Sequence, residues 1–289
     1  MIRNTFCHIP GIGIRTERLF WNRGVHSWDD FGQVAATRLT MGHKRRRILA
    51  EHLDLSRIRL EQQDPHYFAD LLPPDQHWRL FADFREQVAY LDIETTGMGS
   101  PFDVITTLAL YDGKTVRWYV QGRNLEQFKA DIQNYQVVVT YNGKCFDLPF
   151  IRSTLKLRMD QVHIDLRYLL ASLGYRGGLK GCERQLGIGR NELDGVDGFF
   201  AVLLWDEYRR HHKRQALETL LAYNILDAIN LETLMVLAYN RKTAETPFAE
   251  SDRLNLPTVP RLPFAPDEAT IERIRTRLEE MGCRRDSTR

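Results

Sequence analysis

Apolar residues fall into two textures along this chain. Over residues 1–60 they come in short stretches broken by glycines, PGIG at 10–13 and RGV at 23–25, ahead of a run from Asp29 to Leu53. That pattern predicts a head of short helices. A polar, proline-bearing stretch follows, with QQDP at 62–65 and LLPPDQ at 71–76, and predicts a linker over 61–84. From Gln87 the texture becomes β-rich, in VAYLDIE (88–94), VITTLALYD (104–112) and TVRWYV (115–120). Asp112-Gly113 between the second and third runs is a hairpin signal. NLEQFKADIQ (124–133) reads as a helix, and QVVVTYN (136–142), short, β-branched and almost uncharged, as a buried strand. Helical stretches then continue to about residue 240. Three antiparallel strands, a helix, a fourth strand and further helices is the order of a mixed α/β sheet. After Asn240 a proline-rich segment predicts an extended wrap, followed by an amphipathic helix at about 267–281.

Composition adds bounds. With 43% hydrophobic and 27% charged residues, 289 residues make an ordinary folded chain with a sizeable core. The net charge of +2 names no partner. Its distribution is more informative: residues 1–60 hold 11 basic and 5 acidic side chains, net +6, which leaves −4 for residues 61–289. A basic head on a mildly acidic body suits phosphate on one part and metal on the other. Cys7, Cys145, Cys182 and Cys283 show no CxxC spacing, so reduced thiols are expected rather than a zinc site or a disulfide framework. No apolar run approaches the roughly 18 residues of a membrane span. The first residues, MIRNTFCHIPGIG, lack the apolar stretch of a signal peptide, so the expected location is the cytoplasm.

Three acidic constellations carry chemistry. Asp92 and Glu94, in LDIETTG, project to one face of a strand, where two carboxylates repel each other unless a cation sits between them. Hard divalent ions with oxygen ligands are the natural occupants. Asn142 and Asp147, in YNGKCFDLP, follow the buried strand, at the strand end where α/β folds place their sites. Tyr223 and Asp227, at i and i+4 in AYNILDA, share one helix face. Each has a plainer reading: a solvated strand edge, a turn with a helix cap, a Tyr–Asp pair that only holds a helix.

Taken in order, DxE, Nx₃FD and Yx₃D resemble the three motifs of DEDDy-type exonucleases in the ribonuclease-H-like superfamily, as in the proofreading domain of family B DNA polymerases. Residues 86–240 are also similar to the YprB-like family of bacterial exonucleases, through GGLKGCERQLGI (177–188), LWDEYRR (204–210) and ALETLLAYNILDAINLE (216–232). The resemblance implies a ribonuclease-H-like α/β domain over 85–242, a mixed sheet flanked by helices, with 243–289 as wrap and C-terminal helix. It implies a 3′→5′ exonuclease that cleaves DNA, in preference to RNA, with two Mg²⁺ or Mn²⁺ ions. Asp92 would bridge the ions, Glu94 and Asp227 would complete the water-activating one, Asp147 would hold the second, and Tyr223 would orient or help deprotonate the attacking water. A structure-selective endonuclease, an RNA exonuclease and a weakly active nucleic-acid-binding accessory are the alternatives.

Secondary candidates surround this set. Asp165 in VHIDLR is either a fifth carboxylate near the metals or, the preferred reading, the cap of the next helix. Lys180 in GGLKG would contact a phosphate from a flexible loop. In the head, Gly11 and Gly13 in IPGIGIRT resemble a helix–hairpin–helix element, whose glycines let backbone N–H groups approach a phosphate. Arg45, Arg46 and Arg47 would extend that contact along the backbone of nucleic acid.

Overall fold

The computed structural model describes residues 1–97, 100 and 102–286. The head consists of helices α1 (Ile14–Asn22), α2 (Trp28–Arg38) and α3 (His43–Glu61), followed by α4 (Pro65–Leu71). Strands β1 (Val88–Thr95), β2 (Ile105–Tyr111) and β3 (Val116–Val120) come next, then the short helix α5 (Phe128–Asp131), β4 (Val137–Thr140), α6 (Asp147–Leu155) and β5 (Val162–Asp165). Helices α7 (Leu166–Ser172), α8 (Gly178–Gln185), α9 (Gly198–His211), α10 (Arg214–Thr243) and α11 (Glu268–Asp286) complete the chain.

The sheet order is β3-β2-β1-β4-β5. β1 runs antiparallel to β2 and β2 to β3, the latter pair joined through Asp112 and Gly113, whose φ of 85° suits the turn. β4 lies parallel to β1, and β5 parallel to β4. Strand alternation sorts side chains onto two faces. Ala89, Leu91 and Ile93 pack with Phe128 and Ile151 of α5 and α6, while Val88 and Tyr90 pack with the long α10 and its neighbours. Asp92 and Glu94 continue the second series, so they belong to the α10 face.

Residues 61–84 are not the linker that their prolines and polar residues predict. Asp64 caps α4 by accepting from the Tyr67 N–H at 3.1 Å, with Pro65 in the first turn, where it has no amide hydrogen to leave unsatisfied. A 3₁₀ helix follows at Pro74–Leu80. Phe68, Leu80, Phe81 and Phe84 are buried in a hydrophobic cluster that runs from Met1 to Ile274. The prolines here start helices; the aromatic residues between them decide the packing.

α10 also departs from expectation, being long and apolar enough to cross a membrane by length and composition. Within the fold, 89% of its apolar window is buried, the position of a core helix. The proline-rich segment touches the body at two points: Asn240 bonds both the N–H and the carbonyl of Leu254, and Phe264 packs edge-on against Trp118 at 5.0 Å.

Candidate metal centre

The site forms where β1 outruns β4. Only Val88–Tyr90 of β1 pair with β4, so the next residues leave their β4 side free. The chain leaving β4 fills that gap. Asn142, in the left-handed region at φ 65°, turns the backbone, and α6 begins at Asp147. The buried Asp147 carboxylate faces the backbone N–H of Ile93, between Asp92 and Glu94, and that N–H, with its own, favours the charged carboxylate against burial. Asp147 therefore stands beside the strand that carries the first two acids.

Opposite, α10 brings Tyr223, Asn224 and Asp227. Carboxylate oxygens of Asp92, Glu94 and Asp227 lie within 4.8 Å of one another. Asn224 donates to the Asp92 carboxylate at 2.6 Å and to its backbone carbonyl at 3.1 Å, fixing the strand residue against the helix. Burial, then the charges of Asp227, Glu94 and Asp147, hold the Asp92 carboxyl well above the usual carboxylate range. Glu94 is raised in the same direction by burial and by Asp227 and Asp147, with Lys180 and Arg190 opposing. Burial pushes Asp147 up to about 7. Such mutual repulsion is relieved by a divalent cation, and an all-oxygen donor set fits a hard one.

The acids open into a cleft of about 950 Å³ that Lys180, Tyr223, Arg167 and Arg176 also line. Lys180 donates to the Tyr223 hydroxyl, and its Nζ lies 4.3 Å from the Tyr223 ring centroid. Lys180 sits in the first turn of α8, not in a loop as its glycines suggest. Burial and the three neighbouring acids raise the Tyr223 phenol far above its ordinary value.

A family model described as RNase H superfamily matches residues 89–239, more than half of the chain. The chain belongs to the RNase H superfamily. Among solved structures it is similar to the family B DNA polymerase from the hyperthermophilic archaeon Pyrobaculum calidifontis, at 16% identity and a TM-score of 0.41, over 58% of this chain and 27% of the polymerase. No curated protein matches the chain.

The remaining candidates are placed around this RNase H centre. Asp165 caps α7 by accepting from the Arg167 N–H, and it clamps the β4–α6 loop through the N–H groups of Asn142, at 2.7 Å, and Lys144, at 3.0 Å. It orders the turn before Asp147 and does not join the group of three acids. Asn142 accepts from the Arg167 guanidinium at 2.5 Å. Gly13 caps α1 with extended backbone, and nothing approaches the space beside Gly11 or Gly13 within 4 Å. Arg45 and Arg47 are exposed, Arg45 reaching the Gly11 carbonyl at 3.4 Å, while the half-buried Arg46 turns to the Met41 carbonyl.

Sequence reasoning passed over Asn224, Glu183 and Arg190. Asn224 stands beside Tyr223 and could have been read as pointing to the strand. Arg190 bonds Glu183, 7 residues back along the chain, and Asp227 of α10, and no spacing reveals the second pairing.

Proposed function

We propose that the chain is a divalent-metal-dependent nuclease, a 3′→5′ exonuclease that hydrolyses DNA in preference to RNA. The observation that carries this reading is the convergence of Asp92, Glu94 and Asp227 within 4.8 Å at a strand end of an RNase H superfamily domain. Asp92, Glu94 and Asp227 would hold one Mg²⁺ or Mn²⁺ ion, and Asp92 with Asp147 a second. Bound there, such ions supply an acidified water and counter-charge for the phosphate. The chain's own residues do the rest. Because lysine only donates, the Tyr223 oxygen accepts from Lys180 and its own proton is free to point to an acceptor in the cleft. Tyr223 therefore orients the attacking water as a neutral phenol. Arg167 and Arg176 offer positive charge to the phosphates of an entering strand. Gly11, Gly13 and Arg45 of the head would hold backbone phosphates further along.

A gel assay with 5′- and 3′-labelled DNA and RNA in Mn²⁺ or Mg²⁺, beside Asp92→Ala, tests the reading. A ladder shortening from the 3′ end of DNA, absent in Asp92→Ala, is the expected result. Internal fragments would replace exonuclease by endonuclease, and no product on any strand would remove the nuclease reading.

A further inference from the structure

Arg190 lies between two carboxylates that the mechanism treats differently. Its Nη1 donates to both oxygens of Glu183, at 3.0 and 2.8 Å, and its Nη2 donates to Oδ1 of Asp227. Glu183 is fully buried and also accepts from Asn230 at 2.7 Å. Arg190 and Asn230 are buried with it, and Asp227 is buried except where it meets the cleft.

Such a triad is a poor device for merely stapling α8 to α10. Burying charges is costly, and an apolar contact of similar volume holds helices at least as well. The charge count gives it a purpose. An arginine paired with Asp227 alone would cancel one of the three negative charges that Asp92, Glu94 and Asp227 present to a cation. Glu183 offsets Arg190, so the pair sums to zero and the three acids keep their charge. What remains is direction: the planar guanidinium grips one Asp227 oxygen and leaves the other for the cleft.

We propose that Glu183 and Arg190 form a charge-neutral pair that orients Asp227 as a metal ligand, Arg190 as a positioning residue and Glu183 as the group that preserves the charge of the site. This rests on the metal-nuclease reading above. The two residues then act on different quantities. Glu183→Gln leaves Arg190 uncompensated and weakens cation binding; Arg190→Lys keeps the charge but loses the two-sided grip, so the site fills and works poorly.

The experiment is Mn²⁺ binding to the full chain, followed by electron paramagnetic resonance, with cleavage rates at saturating Mn²⁺ and thermal melts alongside. Glu183→Gln is expected to weaken Mn²⁺ binding about 10- to 100-fold, with much of the saturated rate recovered. Arg190→Lys is expected to bind Mn²⁺ within about threefold of wild type while its saturated rate falls about 10-fold or more. Mn²⁺ affinity within about twofold of wild type in Glu183→Gln, or an unchanged saturated rate in Arg190→Lys, overturns the proposal, whatever the melting temperatures do. If one variant does not fold, the other decides. Wild-type protein that binds no Mn²⁺ removes this proposal together with the metal site. Wild-type protein that binds Mn²⁺ yet cleaves nothing removes the nuclease reading alone, and the affinity of Glu183→Gln still decides this one.

Discussion

Asp147, Asp92 and Glu94 all hold their protons more tightly in the folded chain than in the unfolded one, chiefly through burial. Raised carboxyl groups contribute stability that is fully present below their unfolded values. It is lost as pH rises through the folded ones, about 7 for Asp147. The metal-free protein should therefore melt at lower temperature at pH 8 than at pH 5, and Mn²⁺ should raise the melting temperature most at pH 8, where the ligands are ionised. Calorimetry across that range checks both. Asp92→Asn should flatten the decline, abolish the response to Mn²⁺ and abolish cleavage; a full Mn²⁺ response in that variant would take Asp92 out of the site. Spacing of i, i+2 on a strand and i, i+4 on a helix gave Asp92 with Glu94, and Tyr223 with Asp227, a shared face, but only the resemblance carried by the three ordered motifs joined them with Asp147 in one site. Glu183 and Arg190 were not legible in the sequence, since the chain that follows α8 brings Arg190 to Asp227 of α10 only in the folded protein.

At the scale of elements, the β4–α6 loop decides where Asp147 stands. Gly143 donates its N–H to the Thr140 hydroxyl, which also bonds His163 at 2.9 Å, and Asp165 clamps the residues on either side. A Cβ at Gly143 would come 2.1 Å from that buried hydroxyl, so Gly143→Ala must displace the loop. Overpacking of this kind costs about 1–3 kcal/mol. A displacement near 1 Å at a reacting centre can cost about 100-fold in rate. Gly143→Ala should thus lose a few degrees of melting temperature and at least tenfold in cleavage, about 2–4 °C accompanying each kcal/mol. A wild-type rate on a 3′-labelled strand would show that the loop does not set Asp147. The sequence marked Asn142-Gly143 as a turn, and that turn is present. The segment 61–84 reads as a linker for a related reason: its prolines have the same signature whether they end an element or open one, and only burial of Phe68 and Phe81 tells them apart.

For the molecule as a whole, the charge asymmetry of the sequence holds, but the head is not a detachable module. Glu17, fully buried in α1, accepts from Thr5, from the backbone of Phe6 and Cys7, and from Arg79 at 2.7 Å. Breaking such a buried pair from one side costs about 3–5 kcal/mol. Deleting residues 1–60 would remove Glu17 and strip one side from a continuous core, so a truncated chain should fail to fold and would say nothing about nucleic acid. Arg45 and Arg47 allow a cleaner test, because both are exposed and the Arg47–Glu51 contact, at 3.6 Å, is a surface pair of small value. The double variant Arg45→Glu with Arg47→Glu should melt within about 2 °C of wild type, as surface changes usually do. If the head holds two phosphates, the slope of log affinity against log salt on duplex DNA should fall in magnitude by about 2. Cleavage of an oligonucleotide too short to reach the head should stay unchanged. Measured together, these separate binding from chemistry: an unaltered slope would leave the basic head as a surface without a phosphate partner, whereas a reduced slope with intact short-substrate cleavage would place the head on the substrate, beyond the reach of the metal centre.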